Sequence, residues 1–332
     1  DSLADNKVTA LCSTSREDLW IGTVNGLHRL DTRSGTIRRI VMAPSLGAEP
    51  FQETIYALAA DERGRIWIGT QLGLVSLDTG DERCTYHPLL PPSDGDARWP
   101  VVRSILPGER GIIWLGTQHG VIRFDTLALT FRLCWEHIRS ERPSNRYVIS
   151  DMTLDEQKRL VAVTRNGLIR LDDRTSATET LRMVCPTLSG IPSPETFALF
   201  TDRSGSLWLG TERGLLIARP QDAPIDLVGY NPSDATGLCH PDVRSFFESR
   251  DGTIWIGTAN GLNAWDRQTG SMRRYFYQEG PLSKGDENQI HAVSEDHEGR
   301  LWMATQRGLR CFDPRQERLL PLRTETRDLD DL

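Results

Sequence analysis

Ile254-Trp255-Ile256-Gly257-Thr258-Ala259-Asn260-Gly261-Leu262 reads as a strand, a tight Asn-Gly turn and the start of a second strand, the core of a β-hairpin. The same phrase recurs around Trp20, Trp67, Trp114, Val161, Trp208, Trp255 and Trp302, and successive copies are always 47 residues apart. Seven such periods fill the 332-residue chain almost completely, so any functional reading has to be placed on the repeat.

Each period resolves into four strand-like pieces. The first begins at Val8, Ile55, Val102, Ile149, Thr196, Val243 or Ile290, with a small residue two places on in six copies and Asp151 in the seventh. A polar turn follows, often Asp-x-x-Gly, and then the Trp strand, which closes on Thr in every copy. Three residues beyond that Thr stands an invariant Gly (Gly26, Gly73, Gly120, Gly167, Gly214, Gly261, Gly308), as a turn needing positive φ requires. A third strand ends on Asp in six copies, and a less regular fourth strand completes the unit.

Four antiparallel strands in a period in the forties make a propeller blade, and so small a sheet must stack on its neighbours to bury its faces. The expectation is an all-β, seven-bladed β-propeller forming a single domain over 1–332, with blades at about 8–42, 55–90, 102–135, 149–184, 196–229, 243–277 and 290–322. Each Trp is expected to pack between blades. Blade four departs most: Val161 replaces the Trp, Val163 the following Gly, and Lys158 the turn Gly.

Composition narrows the function. A formal net charge of −7 argues against a nucleic-acid binder, and no apolar run is long enough to span a membrane. Cys12, Cys84, Cys134, Cys185, Cys239 and Cys311 form no Cys-x-x-Cys pair and read as isolated thiols. The seven histidines lack metal-ligand spacing and are expected at surface or loop positions; no metal or cofactor is expected. Nucleophile elbows, phosphate loops and zinc-protease motifs are absent, so no catalytic residue is assigned. The repeated Asp-x-x-Gly is read as a turn whose Asp bonds the backbone.

The phrase Asp-x-x-Gly-x-Leu/Ile-Trp-Ile-Gly-Thr-x-x-Gly-Leu-x-x-Leu-Asp resembles the two-component regulator propeller repeat, and Ser2-Leu3-Ala4-Asp5-Asn6-Lys7-Val8 is similar to that family's linker between blades. The resemblance implies a periplasmic sensor region of a bacterial receptor whose kinase or cyclase output lies elsewhere. It therefore implies a non-enzymatic domain that binds a ligand or partner.

A site would use positions that differ between blades and share one face. Linkers entering the first strands and turns after the Trp strands emerge on the same side of a propeller. That face carries Gln71, Gln118, His119, Arg165, Glu212, Arg213, Gln306 and Arg307 in the turns. It also carries the second residues of the first strands, among them Tyr56, Arg103, Phe197, Arg244 and His291. The arginines with His291 would suit an anionic oligosaccharide or other small anion, with Asp151 orienting one guanidinium. The bland alternative is a rim of solvated charges. Two other functions stay open: a polysaccharide-active hydrolase or lyase, and an interaction scaffold or engineered propeller without a small ligand; a second copy or second propeller is a further candidate partner.

Overall fold

The computed structural model describes residues 3–14, 17–42, 53–89, 100–136, 148–164, 167–172, 177–181, 195–219, 226–231, 236–267, 269–275 and 288–322. These form seven four-stranded antiparallel sheets, each built from four strands consecutive in the chain. The first strands (Val8–Ser13, Ile55–Ala60, Val102–Pro107, Ile149–Leu154, Thr196–Thr201, Val243–Glu248 and Ile290–Glu295) begin where the sequence placed them. Each lies beside the first strand of the next blade, and the last lies beside the first, so they line the axis of a closed seven-bladed propeller.

The burial gradient explains the sequence pattern. Second strands such as Ile66–Thr70 are buried at every residue, because a blade lies on each face, and so they read as continuous apolar runs. Outer strands such as Ile37–Ile40 bury their end residues and expose the middle pair. The tryptophans pack across blades as expected. Trp67, for example, lies against Val102, Ile113, Leu115 and Phe124 of blade three. Burial of one such ring contributes up to roughly 4–6 kcal/mol.

The glycine after the Trp strand's Ile or Leu lets the next blade approach. A Cβ at Gly22 would sit 2.6 Å from Ile55 Cγ2, and one at Gly69 would sit 2.7 Å from the Val102 carbonyl oxygen. The invariant Thr has a role that the sequence did not disclose. Thr70 Oγ1 donates to the Gly73 carbonyl (3.1 Å) and accepts the Leu72 amide (3.1 Å), locking a turn in which Gly73 has φ +117°.

The Asp of the polar turn bonds the backbone, as read from sequence, but it also holds the Trp. Asp61 accepts the Arg63 and Arg65 amides at 2.9 and 3.1 Å and the Trp67 indole N–H at 3.1 Å. Asp202 and Asp296 accept the Trp208 and Trp302 indoles at 2.8 Å. In blade four, where Val161 leaves no indole, Asp155 keeps the pair to Arg159 (2.8 Å) that Asp61 makes with Arg65 (2.9 Å), and adds Arg170 (3.3 Å).

Among the described residues no strand from the start of the chain joins the last sheet, so the ring closes through side chains. Val8, Leu19 and Ile21 meet Trp302, Leu309 and Cys311 across the seam, and Arg300 Nη2 donates to the Thr32 carbonyl at 2.9 Å. Blade four keeps a buried core despite its substitutions, with Val161 and Val163 against Leu199, Leu209 and Leu216 of blade five.

Two expectations need correcting. His28 is not a surface residue: it is fully buried, and its Nε2 accepts the Ala4 amide at 3.0 Å, pinning the linker into blade one. His87 is half-buried against Trp67 and Phe124. Burial pushes both imidazoles down to about 4, helped by Arg39 at His28 and Arg65 at His87. The five described cysteines are free thiols, and Cys185 lies outside the described residues.

Candidate functional site: the axial mouth

Every first strand carries a register shift against its partner, and in every blade the residue skipped is the second one. Thr9, Tyr56, Arg103, Ser150, Phe197, Arg244 and His291 are therefore seven bulge residues in a ring. A bulge leaves its residue out of the ladder and re-aims the side chain, which frees that position from scaffold duty. Six different residue types fill these seven positions.

The turns after the Trp strands come back to this ring. The Glu212 amide donates to the Glu195 carbonyl (3.0 Å) and the Ala259 amide to the Asp242 carbonyl (2.9 Å), tying turn to strand entry within a blade. Linkers and turns thus share one face.

Two bulge arginines lie over aromatic rings of the preceding blade. The Arg103 guanidinium is 4.8 Å from the Tyr56 ring centre, and that of Arg244 is 4.5 Å from Phe197. Their charges are handled differently. Arg244 donates through Nε and Nη2 to Asp242 at 2.8 and 2.6 Å and lies 3.2 Å from the Gln289 amide. Arg103 is exposed and has no carboxylate partner among the described residues. At the place in blade three that corresponds to Asp242, the chain has Val101.

His291 lies in the same sector. Burial first, then Arg244 and Lys7, hold its imidazole down at about 4, while Asp242 opposes them, so the ring is neutral at pH 7. Its Nε2 is enclosed, with no hydrogen-bond partner among the described residues. Gln306 joins the sector, its side-chain amide 2.9 Å from that of Gln289.

Among the described residues Asp151 pairs with no arginine. Its carboxylate accepts the Met152 amide and, from the next blade, the Leu199 amide, both at 2.9 Å. Burial raises its pKa to about 6 against the pull of these two amides. Asp151 is a stitch between the first strands of blades four and five.

The remaining sequence candidates sit on the same face without joining one cluster. Gln118 and His119 bond each other at 3.0 Å, Glu212 and Arg213 pair at 3.5 Å, and Gln71 and Arg307 are exposed. Arg165 lies outside the described residues. What the sequence reading missed is Asp242, Gln289 and Lys7, all one place before a first strand; the signal was their variability at the strand entry. A cleft of about 390 Å³ exists elsewhere, at the seam of blades seven and one, lined by Leu30, Ile37, Trp302, Cys311 and Leu320. No group of three or more His, Cys, Asp or Glu among the described residues could hold a metal ion.

The sequence pattern of the two-component regulator propeller matches residues 2–25, 50–71, 237–260 and 284–307. The chain carries two-component regulator propeller repeats. Each matched segment runs through a first strand and the Trp strand that follows it, and so takes in the bulge residue of its blade: Thr9, Tyr56, Arg244 or His291. Among solved structures, the chain is similar to the extracellular domain of a hybrid two-component system from B. thetaiotaomicron, at 20% identity and TM-score 0.70 over 94% of this chain and 40% of that one. It is also similar to the extracellular domain of a one-component system from the same organism, at 23% identity and TM-score 0.55 over 96% and 41%. A streptogramin B lyase shares the fold at 16% identity and TM-score 0.68, over 93% and 94%. This chain therefore spans about two fifths of the length of those two extracellular domains. No curated protein sequence matched the chain.

Proposed function

We propose that this regulator propeller is the extracytoplasmic sensing part of a bacterial receptor, and that it binds a small anion, such as an acidic sugar, at the axial mouth through Arg103. One observation carries the reading: an exposed guanidinium, braced on Tyr56 at a bulge, that no described carboxylate neutralises. A guanidinium fork held over a ring meets a carboxylate or sulfate with two parallel hydrogen bonds and little loss of side-chain entropy. The family resemblance and the extracellular B. thetaiotaomicron domains support the sensor half of the proposal.

The experiment is a thermal-shift series with galacturonate oligosaccharides on the wild type and on Arg103→Gln. Ligand at about 100 times its Kd adds about 2.7 kcal/mol of stability. The proposal expects a rise for the wild type and none for Arg103→Gln. Equal rises in both would overturn it.

His291 supports a second reading, a lyase. A neutral imidazole beside Arg244 could take a proton from carbon while the guanidinium steadies the charge that develops. Turnover of an acidic oligosaccharide that disappears in His291→Asn would favour it, and binding without turnover would not.

A further inference from the structure

We infer that Asp242, Arg244 and Phe197 form a second subsite at the mouth, one that reads the hydroxyl groups of a neutral sugar, so that the favoured ligand is an oligosaccharide acidic at one end and neutral at the other. The inference rests on the reading of Arg103 as the acid site.

The two arginines occupy the same bulge position and lean on the same kind of platform, yet their surroundings differ in charge. Asp242 holds the Nε and Nη2 edge of Arg244 at 2.8 and 2.6 Å, which cancels the charge of the pair. A second acid arriving there would meet the Asp242 carboxylate as well as the guanidinium. A hydroxyl pair meets no such conflict. Each hydroxyl both donates and accepts, and the pair offers both roles: Nη1 can donate, and a carboxylate holds more acceptor sites than the two that Arg244 uses. The Gln289 and Gln306 amides, bonded to each other at 2.9 Å beside Arg244, add further donors and acceptors without charge. The Phe197 ring, 4.5 Å beneath the guanidinium, holds the Arg244 fork in place for those hydroxyls.

The blade-three position is the converse. Val101 stands where blade six has Asp242, so Arg103 keeps its charge for the ligand. Arg103 and Arg244 are three blades apart in a ring of seven, which suits an oligosaccharide over a single sugar.

Isothermal titration of this chain with galacturonate, digalacturonate and galacturonosyl-rhamnose tests the assignment. The expected result is that galacturonosyl-rhamnose binds about tenfold more tightly than either all-acid probe, a gap of about 1.4 kcal/mol. Asp242→Asn and, independently, Phe197→Leu should bring the ratio of galacturonosyl-rhamnose to galacturonate affinity close to one, while Arg103→Gln weakens all three probes together. Digalacturonate binding most tightly, and tighter still in Asp242→Asn, would overturn the inference and leave the acid site standing. If none of the probes binds, or if Arg103→Gln changes nothing, the acid site fails and the second subsite fails with it.

Discussion

Arg103 lays its guanidinium 4.8 Å over the ring of Tyr56, a residue of the neighbouring blade at the same bulge position. The contact does two things. It orders a long, exposed side chain, and it fixes the plane of the guanidinium at the mouth. An exposed cation–π contact is worth about 0.5–1 kcal/mol. Tyr56→Leu should therefore leave the melting temperature nearly unchanged and weaken binding of an acidic sugar by up to about fivefold in titration calorimetry.

Asp202 is more costly to remove. Its carboxylate is almost fully buried and accepts the Trp208 indole (2.8 Å), the Ser204 and Ser206 amides (2.8 and 3.0 Å) and Arg267 Nη2 (2.8 Å). Asp202→Ala strands the buried Trp208 indole and Ser206 amide and strips Arg267 of its nearer carboxylate, so it should cost about 3–5 kcal/mol in urea denaturation. Asp61, with 14% of its side chain exposed, lets water replace some of its bonds, and Asp61→Ala should cost less, about 1–2 kcal/mol.

Lys158 has φ +60° where four other blades place glycines, Gly64, Gly205, Gly252 and Gly299, at φ between 77° and 89°. Its ion pair to Glu109 at 3.7 Å is on the surface and contributes little. Lys158→Gly should raise stability by up to about 1 kcal/mol, because it relieves a left-handed backbone at a side chain that is 71% exposed. Denaturant midpoints of the two proteins decide this.

Stability should fall on acidification between about pH 6.5 and 4. His28, His87 and His291 have folded pKa values near 4, against an ordinary value of 6.5, so in this window the unfolded chain binds protons that the folded chain refuses. Asp151 acts in the opposite direction: its folded pKa near 6 means that the folded state takes up the proton first, and stability rises as pH falls from 6 towards 4. Three histidines outweigh one carboxylate by up to about two protons, or about 2.7 kcal/mol per pH unit at the steepest point. Asp151→Asn should steepen the acid loss, and His28→Gln should make it shallower, when melting temperature is followed against pH.

The scaffold was legible in the sequence because it is repeated. The spacing of Trp20 to Trp302 located every first strand, and Gly26 and its equivalents located every hairpin, since sterics allow few residues at those places. The candidate site was legible only as a face. The bulge ring explains why Tyr56, Arg103, Phe197, Arg244 and His291 vary, but a register shift leaves no mark in composition. The pairing of Arg244 with Asp242 joins residues two apart in the chain, and sequence alone treats it as one more charge pair on a strand. Asp151 misled for a related reason. A lone acid among small residues looked like a partner for an arginine, whereas its oxygens close on the Met152 and Leu199 amides across two blades. The histidines were misjudged because a buried His28 holding the Ala4 amide depends on where a linker folds back.

The claim that matters most is that the exposed Arg103 charge, and not the rim as a whole, binds the anion. Titration of galacturonate into the wild type and into Arg103→Gln, each at 50 and 200 mM salt, addresses it directly. The wild type should bind and lose affinity with salt, while Arg103→Gln should bind at least about tenfold more weakly with a flatter salt dependence. The same affinity and the same salt dependence in both proteins would contradict the account.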